Sequence, residues 1–415
     1  MAVAPPPMTS DQMISVDEHL ARILAVVQPL SPLGLGLLDA QGCLLDEDVV
    51  APAPLPGFDN SAMDGYAVCA ADLQDLPVEL PVTGDVAAGP ASTLRVEPGV
   101  CVRIMTGAAL PAGADAVVPV ELTDGGVERV RIDRPVEPGA YIRRAGEDVA
   151  AGESVLARGT PLGSAQIGLA AAVGRSRVSV RPRPRVVVVS TGSELVEPGT
   201  PLGPGQIADA NSFALTAAAA EAGAQAYRVG IVPDEPRTLL GTLEDQLVRA
   251  DVLITSGGVS VGAYDVVKEV LSRIGTVQFD RVAMQPGMPQ GFGTIGPDST
   301  PVFGLPGNPV SALVSFEVFV RPALRRMIGA EPLERPRVSA VTTEPLSSAK
   351  GKRSFLRVHL AVRKGAYTVT PVSGPGSHLL AGMSRATALA VIPEEVEHVA
   401  VGAPVTVMLL ERRAQ

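Results

Sequence analysis

From residue 185 to residue 329 the chain alternates short apolar runs with helix-period segments, and this pattern constrains the fold more than any other feature. Val186, Val187, Val188 and Val189 form an unbroken β-branched run. Such a run fits a strand buried on both faces, since a half-exposed strand would alternate with polar residues. Runs of this kind predict strands over 185–190, 226–232, 251–256, 276–284 and 301–305. Helical spacing predicts helices over 211–222, from Asp234 onward, over 264–274 and over 309–328. Alternation of the two predicts a doubly wound, mainly parallel α/β layer with helices on both faces.

The flanks read differently. Apolar runs over 78–82, 100–105, 116–120 and 127–132 predict a β-rich region, and Val-Glu-Pro-Gly recurs at 96–99, 136–139 and 196–199 as a reused turn at unequal spacing. Strands over 338–343, 355–362, 367–372, 388–392 and 404–410 predict a small barrel or sandwich at the C-terminal end. Near the start, a Pro-rich stretch over 1–14 precedes Ser15, which opens a helix with Glu18 three residues later as a capping box. Val16, Leu20, Ile23, Leu24 and Val27 supply its apolar face, Pro29 closes it, and His19 is expected at the surface.

With 46% hydrophobic residues the chain can bury large cores, although the absence of Trp leaves them to Val, Leu, Ala and Ile. At roughly 100–200 residues per domain, 415 residues make two to four domains. Lys and Arg number 34 against 44 Asp and Glu, a net charge of −10. Such a balance disfavours nucleic acid and anionic membranes as partners, so any anionic substrate must be held by backbone amides, local arginines or a metal ion. Cys43, Cys69 and Cys101 lack CxxC spacing, which argues against a disulfide framework or a zinc cluster. The N-terminal residues lack a signal-peptide pattern and no apolar run reaches membrane-spanning length, so a cytoplasmic protein is expected.

Ligands of open parallel sheets bind beyond the carboxyl ends of the strands. Three loops fall there: Ser190-Thr191-Gly192-Ser193-Glu194, Ser256-Gly257-Gly258-Val259-Ser260-Val261-Gly262 and Leu305-Pro306-Gly307-Asn308-Pro309. Glycine in such a turn can serve close packing alone. Three of them in one sheet, each with Ser, Thr or Asn, favour a phosphate-bearing ligand held by backbone amides. No P-loop occurs, and the Gly-x-Gly-x-x-Gly at 291–296 precedes a predicted strand instead of a helix, so it is no dinucleotide fingerprint. Glu194, Asp209, Asp234 and Asp265 lie at the same edge. Asp234 reads equally as a helix N-cap before Glu235-Pro236, whereas Glu194 and Asp265 offer the hard oxygens that Mg²⁺ takes. The polar stretch over 58–68 reads either as an Asx-turn network or as a site. None of the four histidines is spaced as a ligand or a general base.

Six motifs in register then point to one family. Residues 56–66 (Pro-Gly-Phe-Asp-Asn-Ser-Ala-Met-Asp-Gly-Tyr), 105–108 (Met-Thr-Gly-Ala), 143–148 (Arg-Arg-Ala-Gly-Glu-Asp), 190–195, 256–262 and 305–311 closely resemble the signatures of the molybdopterin molybdenumtransferases, the MoeA and gephyrin E-domain family. The resemblance implies a discontinuous helical linking domain (8–50 and 148–178), an inserted β-rich domain (51–147), an α/β molybdopterin-binding domain (179–330) and a C-terminal β-barrel (331–415). It implies an Mg²⁺-dependent transferase that inserts molybdate into adenylylated molybdopterin and releases AMP. A homodimer is implied, with a cleft completed across the two copies, and a molybdopterin adenylyltransferase as the delivering partner.

By the same resemblance Asp59, Asp64, Glu194, Asp234 and Asp265 are the catalytic carboxylates, Glu194 and Asp265 holding the metal. Substrate contacts are implied for Asn60, Ser61, Met63, Thr106, Gly107, Glu147 and Asp148, and at the strand tips for Thr191, Gly192, Ser256, Gly257, Gly258, Ser260, Pro306, Gly307, Asn308, Pro309 and Ser311. Arg281, one of Arg353 and Arg357, and Ser377 would add positive charge and a polar contact. Two other readings stand beside this one: a cofactor-binding scaffold without turnover, and a nucleotide hydrolase or amidase of the competence-damage type.

The chain departs from the family pattern at Gln285 and Met288, where many members carry lysines. A Lys-to-Met exchange removes a charge and three donors. Met288→Lys is therefore expected to tighten molybdate or phosphate binding in titration calorimetry; an unchanged affinity would show that Met288 does not face the ligand.

Overall fold

A computed structural model describes residues 13–89, 93–257, 266–374 and 376–410. They fall into two compact units, one spanning Met1–Leu33, Gly42–Leu44 and Arg181–Gln415, the other Gly34–Gln41 and Leu45–Val180. The helix Val16–Val26 lies in the first unit and Ser164–Ala172 in the second.

The first unit is built on a six-stranded sheet in the order Gln225–Val232, Arg185–Thr191, Val252–Ser256, Thr300–Leu305, Pro289–Ile295 and Gln278–Arg281. The first four strands are parallel, and the fifth, Pro289–Ile295, runs antiparallel to both of its neighbours. Because the chain moves outward from 185–191 to 225–232 and returns to 252–256, strand order reverses between 185–191 and 252–256. The Val run explains why this strand is central: Val186 and Val188 pack with Leu215, Ala219 and Phe303, whereas Val187 and Val189 pack with Leu239, Leu243 and Leu271. Both faces are thus covered by helices, Asn211–Glu221 among them on one side, Pro236–Leu247 and Val266–Ile274 on the other. The long C-terminal helix of this layer runs as Pro309–Ser315, a π turn Phe316–Val320 and Arg321–Ile328.

Three expectations are corrected. The strand Pro289–Ile295 was not foreseen, because Gly291 and Gly293 break its apolar run. Glycine is required there, since a Cβ on Gly293 would lie 2.5 Å from Val277 Cα. His19 is 2% exposed, its ring edge-on to Phe319 at 4.8 Å, because the buried face of its helix runs Val16, His19, Ile23. The Ser15 hydroxyl does accept from the Glu18 amide at 3.1 Å, as the capping box predicts. Finally, part of the irregular 58–68 stretch is a strand, Gly65–Val68, buried at every position.

Beyond the α/β layer, Arg337–Thr342, Ala366–Pro371, Arg353–Arg363, Ala388–Ile392 and Pro404–Leu409 close into a five-stranded barrel. Val358, Val369, Ala390 and Val407 fill it. The second unit centres on a five-stranded sheet ordered Ala116–Pro119, Gly65–Val68, Cys101–Ile104, Val78–Val86 and Arg129–Ile132. No helix among the described residues is long and apolar enough to cross a membrane.

The π turn buries Glu317, which takes two hydrogen bonds from Arg335 at 2.8 and 3.0 Å. The two side chains are only 10% and 3% exposed. Removing one partner of a buried pair strands the other charge at a cost of roughly 3–5 kcal/mol. Glu317→Ala should therefore lower the urea midpoint by a corresponding margin; a midpoint within error of wild type would refute the account.

Candidate functional site

Reversal of strand order opens a cleft beyond Thr191 and Ser256, as doubly wound sheets require. The cleft has a volume of about 90 Å³ and is lined by Thr191, Glu194, Asp209, Asn211, Ser256 and Gly307, among others. Three glycine loops meet there, and a close approach holds two of them: Gly257 has φ +93°, and a Cβ on it would lie 2.6 Å from the Thr191 carbonyl oxygen. A side chain at 257 would push the loops apart.

Two residues tie the loops together. Asp209 is buried, accepts from Ser190 Oγ at 3.1 Å and the Ser212 amide at 3.1 Å, and faces Arg228 at 3.8 Å. Asn211 donates to Ser256 Oγ at 2.8 Å and to the Gly307 carbonyl at 2.6 Å. Asp234 accepts from the Ser193 amide at 3.1 Å and its hydroxyl at 3.4 Å, so it braces the first loop, and Glu235 is the N-cap of the next helix. Glu194 is exposed at the mouth of the cleft. Thr191 is 4% exposed, yet its Oγ1 has no hydrogen-bond partner. A buried hydroxyl left unpaired costs free energy unless something else satisfies it. Pro306, Asn308 and Pro309 continue the third loop, and Ser311 is buried behind them. Gly258, Ser260 and Asp265 lie outside the described residues.

The third loop also meets the barrel side of the unit, where the Val310 amide donates to the Ser377 carbonyl at 3.0 Å. Here a second cavity, about 240 Å³, is lined by Gln285, Ser347, Ser348, Ser354, Arg357 and Ser373 among others. The two arginines near it differ. Arg353 is bound by Asp17 at 2.7 and 2.8 Å and by Glu394 at 3.0 Å, which pushes its pKa up. Arg357 is 6% exposed and donates only to neutral oxygens: Ser373 Oγ at 3.0 Å, Gly376 O at 3.1 Å and Gly374 O. Burial pushes its pKa down. Arg281 is exposed, with Nη2 3.8 Å from Met288 Sδ.

In the second unit the polar loop is a dense network. Asp59 accepts from the Ala145 amide at 2.8 Å and Arg144 Nη1 at 2.6 Å; Asp64 accepts from the Thr106 amide and hydroxyl, both at 2.7 Å. Asn60 donates to the Phe58 carbonyl, Ser61 Oγ to the Met63 carbonyl, and the Gly107 amide to the Ser61 carbonyl. Glu147 accepts from the Arg144 amide, while Asp148 is exposed beside it. Of the two readings the sequence offered, an Asx-turn network or a site, the local side-chain-to-backbone bonds come from Asn60 and Ser61, whereas Asp59 and Asp64 bond residues far along the chain. These bonds favour the charged carboxylates and hold both below the ordinary range: for Asp59 the Ala145 amide first and then Arg144, for Asp64 the Thr106 amide first.

The sequence reading named Asp209 only as a carboxylate at this edge and passed over Asn211, since a lone Asn opening an Ala-rich helix carries no signal of its own. For a divalent cation the described residues offer Glu194 and no cluster of three or more His, Cys, Asp or Glu. One exposed carboxylate suits Mg²⁺, which commonly takes one or two carboxylates together with substrate phosphates and water.

Three family models cover nearly the whole chain: "MoeA N-terminal region (domain I and II)" over residues 14–174, "Probable molybdopterin binding domain" over 187–326 and "MoeA C-terminal region (domain IV)" over 339–410. Molybdopterin molybdenumtransferase 2 of Mycobacterium tuberculosis is 50% identical over 400 residues, covering 94% of this chain and 98% of its own. The chain belongs to the molybdopterin molybdenumtransferase (MoeA) family. Molybdopterin molybdenumtransferase 1 of the same organism is 44% identical, over 96% of this chain and 99% of its own. Among solved structures, the molybdopterin biosynthesis MoeA protein from Pyrococcus horikosii superposes with a TM-score of 0.77 at 32% identity, covering 96% of this chain and 99% of that one. MoeA membership fits the observed layer, barrel and inserted sheet.

A carboxyl whose folded pKa is depressed adds stability above its unfolded pKa, about 3.9, and loses it as pH falls through the lower folded value. Asp59 is in this position. Arg144→Ala is expected to raise the Asp59 midpoint in a carboxyl ¹³C NMR titration while leaving it below the unfolded value, because the Ala145 amide remains. A midpoint unmoved by the substitution would show the ion pair to be absent in solution.

Proposed function

We propose that this chain inserts molybdenum from molybdate into adenylylated molybdopterin, releasing AMP, in the synthesis of the molybdenum cofactor. The observation that carries the reading is the switch-point cleft, where Thr191 Oγ1 is buried and unpartnered while Ser190, Ser193, Asp209, Asn211 and Ser256 around it are all engaged. An unpaired buried hydroxyl at the strand tips supports a polar substrate there. Relatives at 44% and 50% identity, matched over nearly their full length, carry the molybdenumtransferase name. Neither the scaffold nor the competence-damage-type hydrolase is favoured beside that match.

The substrates are anionic and the chain carries a net charge of −10, so attraction must be local. Two places supply it. At the strand tips, the loops around Gly192, Gly257 and Gly307 bring backbone close to the adenylyl phosphate with no side chain intervening. In the larger cavity Arg357 is a buried cation with no carboxylate partner among the described residues, a standing attraction for the molybdate dianion, with the serine hydroxyls as donors. Glu194, with Asp265, would hold Mg²⁺. When bound, that ion neutralises charge on the anhydride oxygens as AMP leaves. Asp234 keeps the Ser193 loop in register, so the phosphate meets a fixed backbone. A homodimer, a delivering molybdopterin adenylyltransferase and a cytoplasmic setting, in which the three unpaired thiols stay reduced, belong to the same proposal.

The test is AMP release from adenylylated molybdopterin with molybdate and Mg²⁺. Wild-type chain should release AMP in a molybdate-dependent manner. Glu194→Ala should slow release about a hundredfold, the scale of losing one preorganised electrostatic contact. No release by wild-type protein would remove the reading.

A further inference from the structure

Asn211 has one polar atom left over. Its side-chain nitrogen carries two protons, and both are spent, on Ser256 Oγ and on the Gly307 carbonyl. A carbonyl can only accept, so the Gly307 contact fixes which way the amide points. Asn211 Oδ1 therefore has a defined position, and it has no partner among the described residues. Asn211 and Thr191 line the same cleft, and the Thr191 hydroxyl is likewise unpartnered.

An acceptor-only oxygen repels phosphate and molybdate and pairs with an O–H or N–H group. Adenylate offers two kinds of donor, the ribose hydroxyls and the adenine amine. A hydroxyl donates and accepts at once, so it can give its proton to Asn211 Oδ1 and take one from Thr191 Oγ1. An adenine meets the two groups only through separate contacts, its amine on Asn211 Oδ1 and a ring nitrogen or the second N–H on Thr191, whereas one ribose hydroxyl meets both with a single oxygen. Resting on the proposed function, we infer that Asn211 is a specificity residue: its carbonyl oxygen, together with the Thr191 hydroxyl, reads a ribose hydroxyl of the adenylyl half of the substrate. The same residue clamps two of the loops, so the reading atom is built into the scaffold it reads from.

The experiment is titration calorimetry of the full chain with AMP, its 2′-deoxy and 3′-deoxy analogues, inosine monophosphate and molybdate. Wild type should bind one deoxy analogue at least tenfold more weakly than AMP, and inosine monophosphate within about twofold of AMP. Asn211→Ala should lose at least tenfold for AMP, erase the difference between AMP and that analogue, and keep molybdate affinity within about twofold. Thr191→Val, nearly isosteric and leaving both Asn211 clamps in place, should likewise shrink the difference; it decides the matter if Asn211→Ala does not fold. Equal binding of AMP and both deoxy analogues overturns the inference, as does weakening confined to inosine monophosphate, or an equal loss of molybdate and AMP on Asn211→Ala. If wild-type protein neither binds AMP nor releases it from adenylylated molybdopterin, the functional reading fails and the inference falls with it, an outcome visible before any variant is made.

Discussion

The parallel pairing of Arg185–Thr191 with Val252–Ser256 is the constraint on which the site depends. Val186 opposite Val252 and Ser190 opposite Ser256 bring two strands to the same edge in register. Continuous valines are what a strand needs when helices cover it on both faces, so the burial that stabilises the layer also fixes where its carboxyl ends emerge. The next strand in sequence goes to the opposite flank, and the helices that follow 191 and 256 lie on opposite faces of the sheet. A cleft there is a consequence of topology before any side chain is chosen.

What the side chains add is rigidity and a deficit of partners. Asp209 and Asn211 lie two residues apart at the start of one helix, and each reaches a different loop: Ser190 for the first, Ser256 and Gly307 for the second. Three chain segments far apart in sequence are tied to one helix terminus by short polar contacts, which fix Ser190, Ser256 and Gly307 relative to one another. Preorganisation of this kind spares binding the cost of ordering the site. Against so complete a set of internal bonds, the unpaired Thr191 hydroxyl stands out as a group kept for something else.

Much of this architecture was legible because burial writes itself into sequence as periodicity. The strand at 186–189 and the helices around it follow from apolar spacing alone, and the barrel strands at 388–392 and 404–409 from the same rule. Where close packing displaces side chains, the signal inverts: Gly291 and Gly293 look like a loop and belong to a strand pressed against 276–279. Polar residues mislead for the converse reason. Asp64 precedes a strand whose four residues are all buried, and its carboxylate accepts from Thr106, a tertiary hydrogen bond that no local pattern announces. His19 was misplaced because a lone polar residue on an apolar helix face can pack edge-on against an aromatic ring. Asn211 left no trace at all, since its role exists only once three loops have converged.

Under the proposed function, arginine placement gives a negatively charged protein a way to hold dianions without a basic surface. Arg353 is neutralised by Asp17 and Glu394, so its charge serves to fasten the N-terminal helix to the barrel strand. Arg357, four residues on, projects from the same strand, and its charge is met only by carbonyl and hydroxyl dipoles. A buried guanidinium without a counter-ion is costly to maintain, as the downward push on its pKa shows. An oxyanion entering the cavity would relieve that cost, so the folded state stores part of the affinity. On the wall of its cavity Gln285 is neutral, and away from that wall Arg281 lies against the Met288 thioether. In that proposal attraction is concentrated on one desolvated arginine, where low dielectric strengthens it, instead of being spread over exposed lysines that water and salt would screen.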